Sequence, residues 1–377
     1  MAMNSETLLK PISILLIGPL PPRIGGDTTL FSYLVEDLQR NEQFDVHTLN
    51  TARGRLDNNA LVNLWKAVRV VGGILRYGAR VDLVSFHASN RGMFMFGPLV
   101  YGLTWLYGKP LIVRLFGGSF DEYYKARGGL AQWLLRNTVL SADRCLLETR
   151  QMVTFFEQIG QGSPTWFSNY TRLELMSARK PDSSFQRTSC KRLIFLGHVK
   201  KAKGIETILE CAGQLPDGVS IDVFGPLYGY TAEQIDEGGQ GQIRYGGCLG
   251  REQVAEQLWR YDALLLPTSH VSEGYPGVII EAFCHEMPVI TTRWRSIPEI
   301  VDESCGVLIE PGNSQELRDA IQCLYDEPAR FVSLCEGAKS RQQQFSDKVW
   351  TRKFIQFCEE MLSGVGKESG IRSLDLG

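Results

Sequence analysis

Apolar and polar positions alternate along this chain in blocks that have either a strand or a helix period. Residues 12–18, ISILLIG, form a continuous apolar run, which is typical of a strand covered on both faces. A Pro/Gly loop follows, and then the segment TLFSYLVEDLQR, whose apolar residues recur at helical spacing. The same patterns predict strands at FDVHTL, VDLVSFH, PLIVRLFGG and RCLLET, and a helix at GGLAQWLLRNTVLSA.

The second half of the chain restarts this rhythm. Strands are predicted at RLIFLGH, VSIDVFG, DALLLPTS and PVITT, and the helices between them at GIETILECAGQL, REQVAEQLWRY and GVIIEAFCHE. Strands that alternate with helices imply parallel, doubly wound sheets with right-handed crossovers. We therefore predict an α/β fold of two Rossmann-like doubly wound domains that face a central cleft, where the ligands of such sheets bind.

The domain boundaries follow from composition. Residues 174–191 are polar and contain Pro and Ser, so we place the linker there. The first domain is predicted over residues 1–180 and the second over residues 181–350. Residues 351–377 are predicted to form a C-terminal helix and a tail, and packing of this helix back onto the first domain is one arrangement that we consider.

One stretch without charge, residues 92–108, raises the question of a membrane contact. It is shorter than the ~20 apolar residues that a spanning helix needs, and Pro98 and several glycines interrupt it. A buried helix packed on a sheet is the favoured interpretation. Because Glu6 and Lys10 interrupt the N-terminal apolar run, no signal peptide is predicted. We expect a cytoplasmic protein, and peripheral attachment to the inner face of the plasma membrane stays open.

Composition excludes several classes of partner and of site. The net charge of −2 gives no reason to expect nucleic acid as a partner. Nine dispersed cysteines without a CxxC pair favour reduced, structural thiols. Five dispersed histidines and the absence of any Asp-x-Asp pair predict that the protein has no metal site.

Two predicted strand–helix loops are candidates for binding an anion. Gly25 and Gly26 in the loop PPRIGGD would let a ligand approach the backbone at a helix N-terminus, although a plain turn fits equally well. The loop GHVKKAKG, residues 197–204, carries three lysines, the last of which is Lys203. A polyanion held by lysine and backbone N–H groups is favoured there over a solvated basic loop.

The segment EGYPGVIIEAF, residues 273–283, places two glutamates around a glycine-containing turn. A helix is predicted to begin near Val278, and its first backbone N–H groups are free to bind phosphate or sugar oxygens. Glu281, about one turn inside this helix among apolar residues, suits a vicinal diol such as ribose. Glu273 precedes the turn, where a second polyol would lie.

These segments together resemble one protein family. LLLPTSHVSEGYPGVIIEAFCHEMPVITTRWRSIPEIV resembles the donor-binding core of the retaining GT-B glycosyltransferases of the GT4 family. FLGHVKKAKGIETIL is similar to the diphosphate loop of that family, GPLPPRIGGDTTLFSYLVEDL to its N-terminal glycine loop and first helix, and LIEPGNSQELRDAI to the segment after its last donor-domain strand. The resemblance implies a GT-B fold, a nucleotide-sugar donor, transfer with retention, and no requirement for metal.

The resemblance also implies roles for individual residues. Glu281 would bind ribose, Glu273 would reach the transferred sugar, and Lys203 would bind the diphosphate. The family often has a histidine where this chain has Phe116, and His87 at the end of a neighbouring predicted strand is the candidate substitute, although a structural role for it fits equally well. The candidate catalytic residues are Glu273, Lys203 and His87. The candidate donor-binding residues are Gly25, Gly26, Gly197, His198 (where the family commonly has Arg), Lys203, Gly274, Tyr275, Pro276, Gly277, Val278 and Glu281.

The acceptor is expected in the first domain, in the loops HASNRGM and FGGSFDEYYKARGG. Their aromatic residues suit stacking on sugar rings, and their basic residues suit a lipid diphosphate or an anionic membrane face. The candidate acceptor-binding residues are Arg91, Phe120, Tyr123 and Tyr124. We expect a glycan or a polyprenyl-diphosphate-linked sugar as acceptor, in bacterial surface polysaccharide assembly. No cofactor is expected, because the nucleotide sugar is a substrate, with UDP-sugars favoured over GDP-sugars.

The expected chemistry is attack on the same face of the sugar that the leaving diphosphate occupies, with the leaving phosphate accepting the acceptor's proton. Lys203 and the loop N–H groups would stabilise the leaving group. Two alternatives remain open at the level of sequence. One is a sugar-nucleotide 2-epimerase, which shares the GT-B architecture, and the other is a catalytically inactive subunit that binds a nucleotide sugar.

Overall fold

The structure is a computed structural model that describes residues 10–22, 25–52, 60–160, 162–177, 180–181 and 185–364. Its twelve named strands form two six-stranded sheets, and every strand pair in them is parallel. The predicted tail over residues 365–377 and parts of the predicted linker lie outside the described residues.

The N-terminal sheet has the strand order β2-β1-β3-β4-β5-β6. Its strands are β1 (Ile12–Gly18), β2 (Phe44–Asn50), β3 (Leu83–Ser89), β4 (Leu111–Phe116), β5 (Arg144–Leu147) and β6 (Pro164–Trp166). The helices that connect or follow them are α1 (Gly26–Gln39), α2 (Ala60–Tyr77), α3 (Asn90–Leu106), α4 (Phe120–Lys125), α5 (Gly129–Arg136), α6 (Arg150–Gln158) and α7 (Leu173–Ser177).

The C-terminal sheet has the strand order β12-β11-β10-β7-β8-β9. Its strands are β7 (Arg192–Leu196), β8 (Ser220–Phe224), β9 (Ile243–Gly247), β10 (Ala263–Leu266), β11 (Val289–Thr292) and β12 (Gly306–Ile309). Its helices are α8 (Ile205–Leu209), α9 (Ala232–Gly238), α10 (Arg251–Gln257), α11 (Gly277–Cys284), α12 (Ser314–Asp326) and α13 (Pro328–Arg341).

The N-terminal sheet is covered on both faces because successive side chains of a strand point to opposite sides. In β1, Leu15 and Ile17 pack in a core cluster with residues of α2, α3, α5 and α6. Ile14 and Leu16 pack in a second cluster with residues of α1. The continuous apolar run of β1 is therefore explained by burial on both faces.

The last helix, α14 (Asp347–Ser363), returns to the N-terminal sheet. Its buried residues Trp350, Phe354 and Phe357 belong to the cluster that contains Ile14 and Leu16. The hydroxyl of Thr351 also donates to Asp37 of α1 at 2.9 Å. The chain therefore crosses between the two sheets twice, once after β6 and once before α14.

Helix α3 occupies the charge-free stretch, and the structure corrects part of the prediction made for it. Met93 and Val100 are buried against the sheet, as expected. Trp105 is 50% exposed and Leu106 is 69% exposed, so the outer side of the helix is apolar as well as accessible. A helix that packs on a sheet buries only one stripe of its surface, and absence of charge in the sequence does not imply burial all round. Among the described residues, no helix has the length and apolarity needed to cross a membrane.

Candidate active site between the two sheets

The lysine-rich loop runs from the end of β7 to α8. Gly204 has φ +83, and a Cβ at this position would lie 2.1 Å from the carbonyl oxygen of Pro267, so a glycine is required there. Helix α8 has only five residues, fewer than the predicted helix over residues 204–215. A short helix contributes a weak dipole, so any anion binding by this loop depends on its lysines more than on helix geometry.

Lys203 and Glu273 form a buried ion pair at the mouth of the second sheet. The Lys203 Nζ donates to both carboxylate oxygens of Glu273, at 2.8 and 2.6 Å, and the Thr268 hydroxyl donates to one of them at 2.8 Å. The two charged side chains are 16% and 7% exposed. Their charges compensate each other, which is the condition for burying either one. The structure thus brings together two residues predicted to contact different parts of the donor.

The two glutamates of the segment at residues 273–283 differ in burial. Glu273 is the buried carboxylate, whereas Glu281 is half-buried on α11. Helix α11 begins at Gly277, after Pro276, one residue earlier than predicted. Glu281 is the fifth residue of this eight-residue helix, and its side chain keeps part of its surface accessible.

The turn that follows Glu273 is held by a carboxylate of the N-terminal half. Glu148, which directly follows β5, accepts the backbone N–H of Tyr275 at 2.6 Å and the backbone N–H of Gly117 at 2.8 Å. Glu148 is 4% exposed, and burial raises the pKa of its carboxyl. One carboxylate therefore connects the loop after β4 to the turn before α11.

The two turns pack closely because both contain glycine. A Cβ on Gly118 would lie 2.2 Å from the Cα of Gly274, and a Cβ on Gly274 would lie 2.2 Å from an oxygen of Glu148. No side chain fits between these backbones. Both positions therefore need glycine for the packing of the two turns, because any Cβ would clash. This need is separate from the close approach of a ligand that glycines also allow.

A second carboxylate makes the reciprocal connection. Glu299 of the C-terminal half accepts the backbone N–H groups of Arg150 and Gln151 at the start of α6, at 2.8 and 3.0 Å. It also accepts the hydroxyl of Tyr275. The carbonyl oxygen of Tyr275 accepts the side-chain amide of Asn169 at 2.9 Å. Tyr275 is thus fixed through its N–H, its carbonyl and its hydroxyl by residues from both halves of the chain.

A cavity of about 510 Å³ opens beside the Glu273 turn. Arg91, Phe116 and Tyr123 line it from the N-terminal half, and Val271 and Ser272 line it from the C-terminal half. Two of the four residues predicted to bind the acceptor, Arg91 and Tyr123, therefore lie at this cavity.

The other two predicted acceptor residues lie in the core, which corrects their assignment. Phe120 is fully buried and Tyr124 is 3% exposed, and both pack against Phe156 of α6. They belong to α4, a short helix whose apolar side must face the sheet. Neither ring has a face available for a sugar to stack on.

The prediction of a catalytic role for His87 is also corrected. Its ring is fully buried next to Phe31 and Phe116, and its Nε2 lies 2.8 Å from the Ser85 hydroxyl. Burial, together with the charge of Arg114, holds the pKa of His87 well below its usual range. The alternation of side chains in β3 directs this residue into the core, so it acts as a neutral structural histidine.

The remaining predicted donor residues are divided between two places. Gly197, with φ +152, and His198 lie in the lysine-rich loop, and the His198 ring lies 5.0 Å from the ring of Tyr228. Burial and the charges of Lys200 and Lys203 lower the pKa of His198. Gly25 and Gly26 lie at the start of α1, after the C-terminal end of β1, in the N-terminal half of the chain.

Sequence reasoning missed three polar residues around this site. Glu148 and Glu299 join the two halves, and His270 lies with its Nε2 3.4 Å from the Nζ of Lys200. The signal for Glu148 was present, because a carboxylate at the end of the predicted strand RCLLET is placed where ligands and cleft contacts of such sheets lie. In the described ranges, no cluster of three or more His, Cys, Asp or Glu residues is arranged to hold a metal ion.

Comparison with known proteins shows which family a part of the chain is similar to. Residues 190–327, which contain Lys203, Glu273 and Glu281, match the model of the family described as Glycosyl transferases group 1. Alpha-D-kanosaminyltransferase of Streptomyces kanamyceticus is 19% identical over 283 residues, which cover 69% of this chain and 72% of the relative. The putative teichuronic acid biosynthesis glycosyltransferase TuaC of Bacillus subtilis is 29% identical over 128 residues, covering 34% of this chain and 31% of that protein.

The fold is also similar to that of solved structures. Anabaena HepE, solved in complex with UDP-glucose, superposes with a TM-score of 0.68 at 16% identity, over 93% of this chain and 100% of the other. The two parallel sheets with a cleft between them give the chain the fold of the GT-B glycosyltransferases. Within this fold, residues 190–327 are similar to the group 1 glycosyl transferases. Membership of the GT4 family in particular stays a prediction.

Proposed function

We propose that the protein is a retaining glycosyltransferase that moves a sugar from a nucleotide-sugar donor to a glycan or lipid-linked glycan. The observation that carries this proposal is the Lys203–Glu273 ion pair beside the glycine turn at the start of α11. A paired cation and carboxylate at strand ends, next to free backbone N–H groups, suit a ligand that carries both a diphosphate and a polyol.

The donor would replace part of this ion pair. The diphosphate would take Lys203 and the backbone N–H groups at the start of α11 as donors of charge-assisted hydrogen bonds. Glu273 would then accept hydroxyl groups of the transferred sugar, still held by Thr268. Glu281, half-buried on α11, would accept the ribose hydroxyls.

The reaction would break the bond between the anomeric carbon and the diphosphate oxygen. Negative charge grows on the leaving oxygen in the transition state, and Lys203 would stabilise it more strongly there than in the ground state. The acceptor hydroxyl would attack from the same face and give its proton to the leaving phosphate. Glu273 is engaged by Lys203 and Thr268, an arrangement that suits orientation of the sugar rather than nucleophilic attack.

The cavity lined by Arg91 and Tyr123 is the proposed acceptor site, because it adjoins Glu273 and offers a cation and an aromatic face. The name of TuaC supports an acceptor in surface polysaccharide assembly, and the UDP-glucose in HepE supports a UDP-sugar donor. No cofactor and no metal ion are part of the proposal, because the lysine and the backbone N–H groups would provide the positive charge that a metal would otherwise supply.

The donor can be tested on the purified chain. Thermal unfolding is measured with UDP-, GDP- and ADP-sugars, and a UDP-sugar is expected to raise the midpoint because it binds only the folded state. Incubation of the stabilising donor with a membrane lipid extract, with and without EDTA, should then yield a labelled product whose anomeric configuration matches that of the donor.

Each alternative has its own outcome in that experiment. Inversion at the anomeric carbon would contradict the retaining mechanism, and loss of transfer in EDTA that added Mg²⁺ or Mn²⁺ restores would contradict metal independence. Conversion of the donor to its 2-epimer without an acceptor would indicate the epimerase. Donor binding with neither hydrolysis nor transfer would indicate an inactive subunit.

A further inference from the structure

Helices α2, α3 and α5 form one layer on the outside of the N-terminal half. Their buried residues, among them Val70, Val100 and Leu135, belong to the same core cluster. Helix α3 lies in contact with both α2 and α5. The opposite sides of the three helices therefore make one outer surface, which we call the α2–α3–α5 surface.

This surface is unusually rich in exposed apolar side chains. Of the 14 large apolar residues that are exposed in the described part of the chain, nine lie on these three helices. The most accessible are Leu64, Val68, Leu75, Trp105, Leu106, Leu130 and Trp133, which are 50% to 81% exposed. Isolated apolar residues are ordinary on a protein surface, but a concentration on neighbouring helices marks an interaction site.

The charge on this surface has one sign. The three helices contain no Asp or Glu, although the chain has 42 acidic residues, and they expose Arg69, Arg76 and Arg136. Helix α6, which packs in the same cluster, exposes Glu157 and polar residues instead. Absence of acidic residues is therefore a property of this surface and not of the whole side of the domain.

We propose that the α2–α3–α5 surface rests on an anionic lipid bilayer. Arginine attracts anionic headgroups, tryptophan is favoured at the boundary between water and hydrocarbon, and exposed leucine inserts into the hydrocarbon. Because no described helix has the features of a membrane span, these helices lie on the bilayer instead of crossing it. Charge complementarity selects this occupant over a second copy, because two copies would bring arginines against arginines.

The position of α3 connects this surface to the cleft. The first residues of α3, Asn90 and Arg91, line the cavity beside Glu273, and Trp105 and Leu106 lie at the other end of the same helix. One rigid helix thus joins the proposed membrane surface to the proposed acceptor site, an arrangement that suits an acceptor sugar carried on a membrane lipid. Membrane binding itself does not depend on the proposed sugar transfer and is tested separately from it.

The test is flotation of the full chain with vesicles, without any sugar present. Vesicles of phosphatidylcholine alone are compared with vesicles that contain about 30% phosphatidylglycerol. The variant Leu106→Glu/Leu130→Glu places two negative charges on the surface. The matched control, Val349→Glu/Leu362→Glu, places the same charges at exposed apolar positions of α14, which packs on the other face of the sheet.

The wild-type chain should float with the anionic vesicles and much less with the neutral ones. The surface variant should bind about tenfold more weakly or worse, because two buried apolar contacts are replaced by repelled charges. The control should bind as the wild type does. Each variant should keep the wild-type unfolding midpoint and the wild-type shift of that midpoint with a UDP-sugar.

Three results would overturn the proposal: no flotation of the wild type with anionic vesicles, equal binding by the surface variant and the control, or a wild-type dimer in sedimentation velocity that only the surface variant converts to monomer. The last result would assign the surface to a second copy. Loss of the shift with UDP-sugars in all chains would contradict the proposed donor but would leave vesicle binding as an independent result.

Discussion

Glu273 and Glu148 are two buried carboxylates that flank the same turn, and they are stabilised in different ways. Glu273 is paired with the ammonium group of Lys203 and the hydroxyl of Thr268. Glu148 accepts two backbone N–H groups, one from each half of the chain, and the positive charge that acts on it is that of the buried Arg114. The first carboxylate can exchange its partner for a ligand, whereas the second holds the turn in place for that exchange.

This difference separates residues that contact substrate from residues that position the site. An ion pair between two side chains can open when a diphosphate competes for the lysine. Hydrogen bonds to two backbone groups cannot move without moving both loops. Tyr275, which follows Glu273 by two residues, transmits this constraint to Glu273 because Glu148, Glu299 and Asn169 all hold it.

The largest expected effect comes from removing the partner of Glu273. Lys203→Ala should lower kcat by roughly 10²-fold or more, because stabilisation of the leaving diphosphate is lost where its charge is greatest. It should also lower the free energy of unfolding by about 3 kcal/mol, since it leaves a buried carboxylate without its counter-charge. Steady-state kinetics and urea unfolding measure the two effects.

The control for this variant is the double variant Lys203→Ala/Glu273→Gln. Removing both charges should restore most of the lost stability without restoring activity. Full stability in the single variant Lys203→Ala would mean that the ion pair is open in solution, contrary to its burial in the structure.

A third carboxylate, Glu281, extends the comparison to a residue that is proposed to bind the ribose of the donor. Glu281→Ala should lower kcat/KM for the donor at least tenfold, because a charged hydrogen bond to ribose contributes ~1.5–3 kcal/mol. The unfolding midpoint should change little, since Glu281 is half-buried on α11. Unchanged donor kinetics would remove the ribose role from Glu281.

The pH dependence of stability should distinguish Glu148 from a solvent-exposed carboxylate. Burial raises the pKa of Glu148 in the folded state, so the proton binds more tightly to the folded than to the unfolded chain. Its contribution to stability is therefore complete below the unfolded pKa of about 4.3 and is lost as the pH rises through the raised folded value.

The matched variant for this effect is Glu148→Gln, which does not titrate. The free energy of unfolding of the wild type minus that of the variant should increase as the pH falls from 7.5 toward about 4.5. Chemical unfolding at a series of pH values gives this difference. A difference that is constant with pH, or that decreases toward acid, would contradict the direction of the shift.

The smallest expected effect is that of the exposed lysine of the same loop. Lys201 pairs with Glu206 at 2.8 Å, and its side chain is 80% exposed. Lys201→Ala should change kcat and the unfolding midpoint by no more than the experimental error, since exposed pairs contribute little. A loss of kcat in Lys201→Ala equal to that in Lys203→Ala would mean that the loop has a different register in solution.

The fold could be predicted to a large extent from sequence, and so could the elements that carry the donor-side candidates. The predicted strand runs at 12–18 and 192–198 correspond to β1 and β7, and the turn before α11 lies within one residue of its predicted place. These features depend on apolar periodicity and on glycine and proline, which act over a few residues. Helix lengths were overestimated, as for α8, because periodicity does not show where tertiary contacts end a helix.

The acceptor-side predictions were less successful for a physical reason. Aromatic residues in a loop suit a sugar and a core equally well, and only packing decides between them. Tyr123 lines the cavity whereas its neighbours Phe120 and Tyr124 are buried, a difference that the rotation of α4 determines. The burial of His87 is decided in the same way, by the side of β3 on which it lies.

The sequence by itself determined the alternation of strands and helices, the glycine turns, and the identity of Lys203, Glu273 and Glu281 as candidates, because each of these depends on neighbours along the chain. The tertiary structure alone decided which groups meet. Lys203 and Glu273 are 70 positions apart, and Glu148 and Tyr275 are 127 positions apart. A buried carboxylate is stable only when such distant partners pack around it. The packing of the two sheets, and not the local sequence, sets this condition.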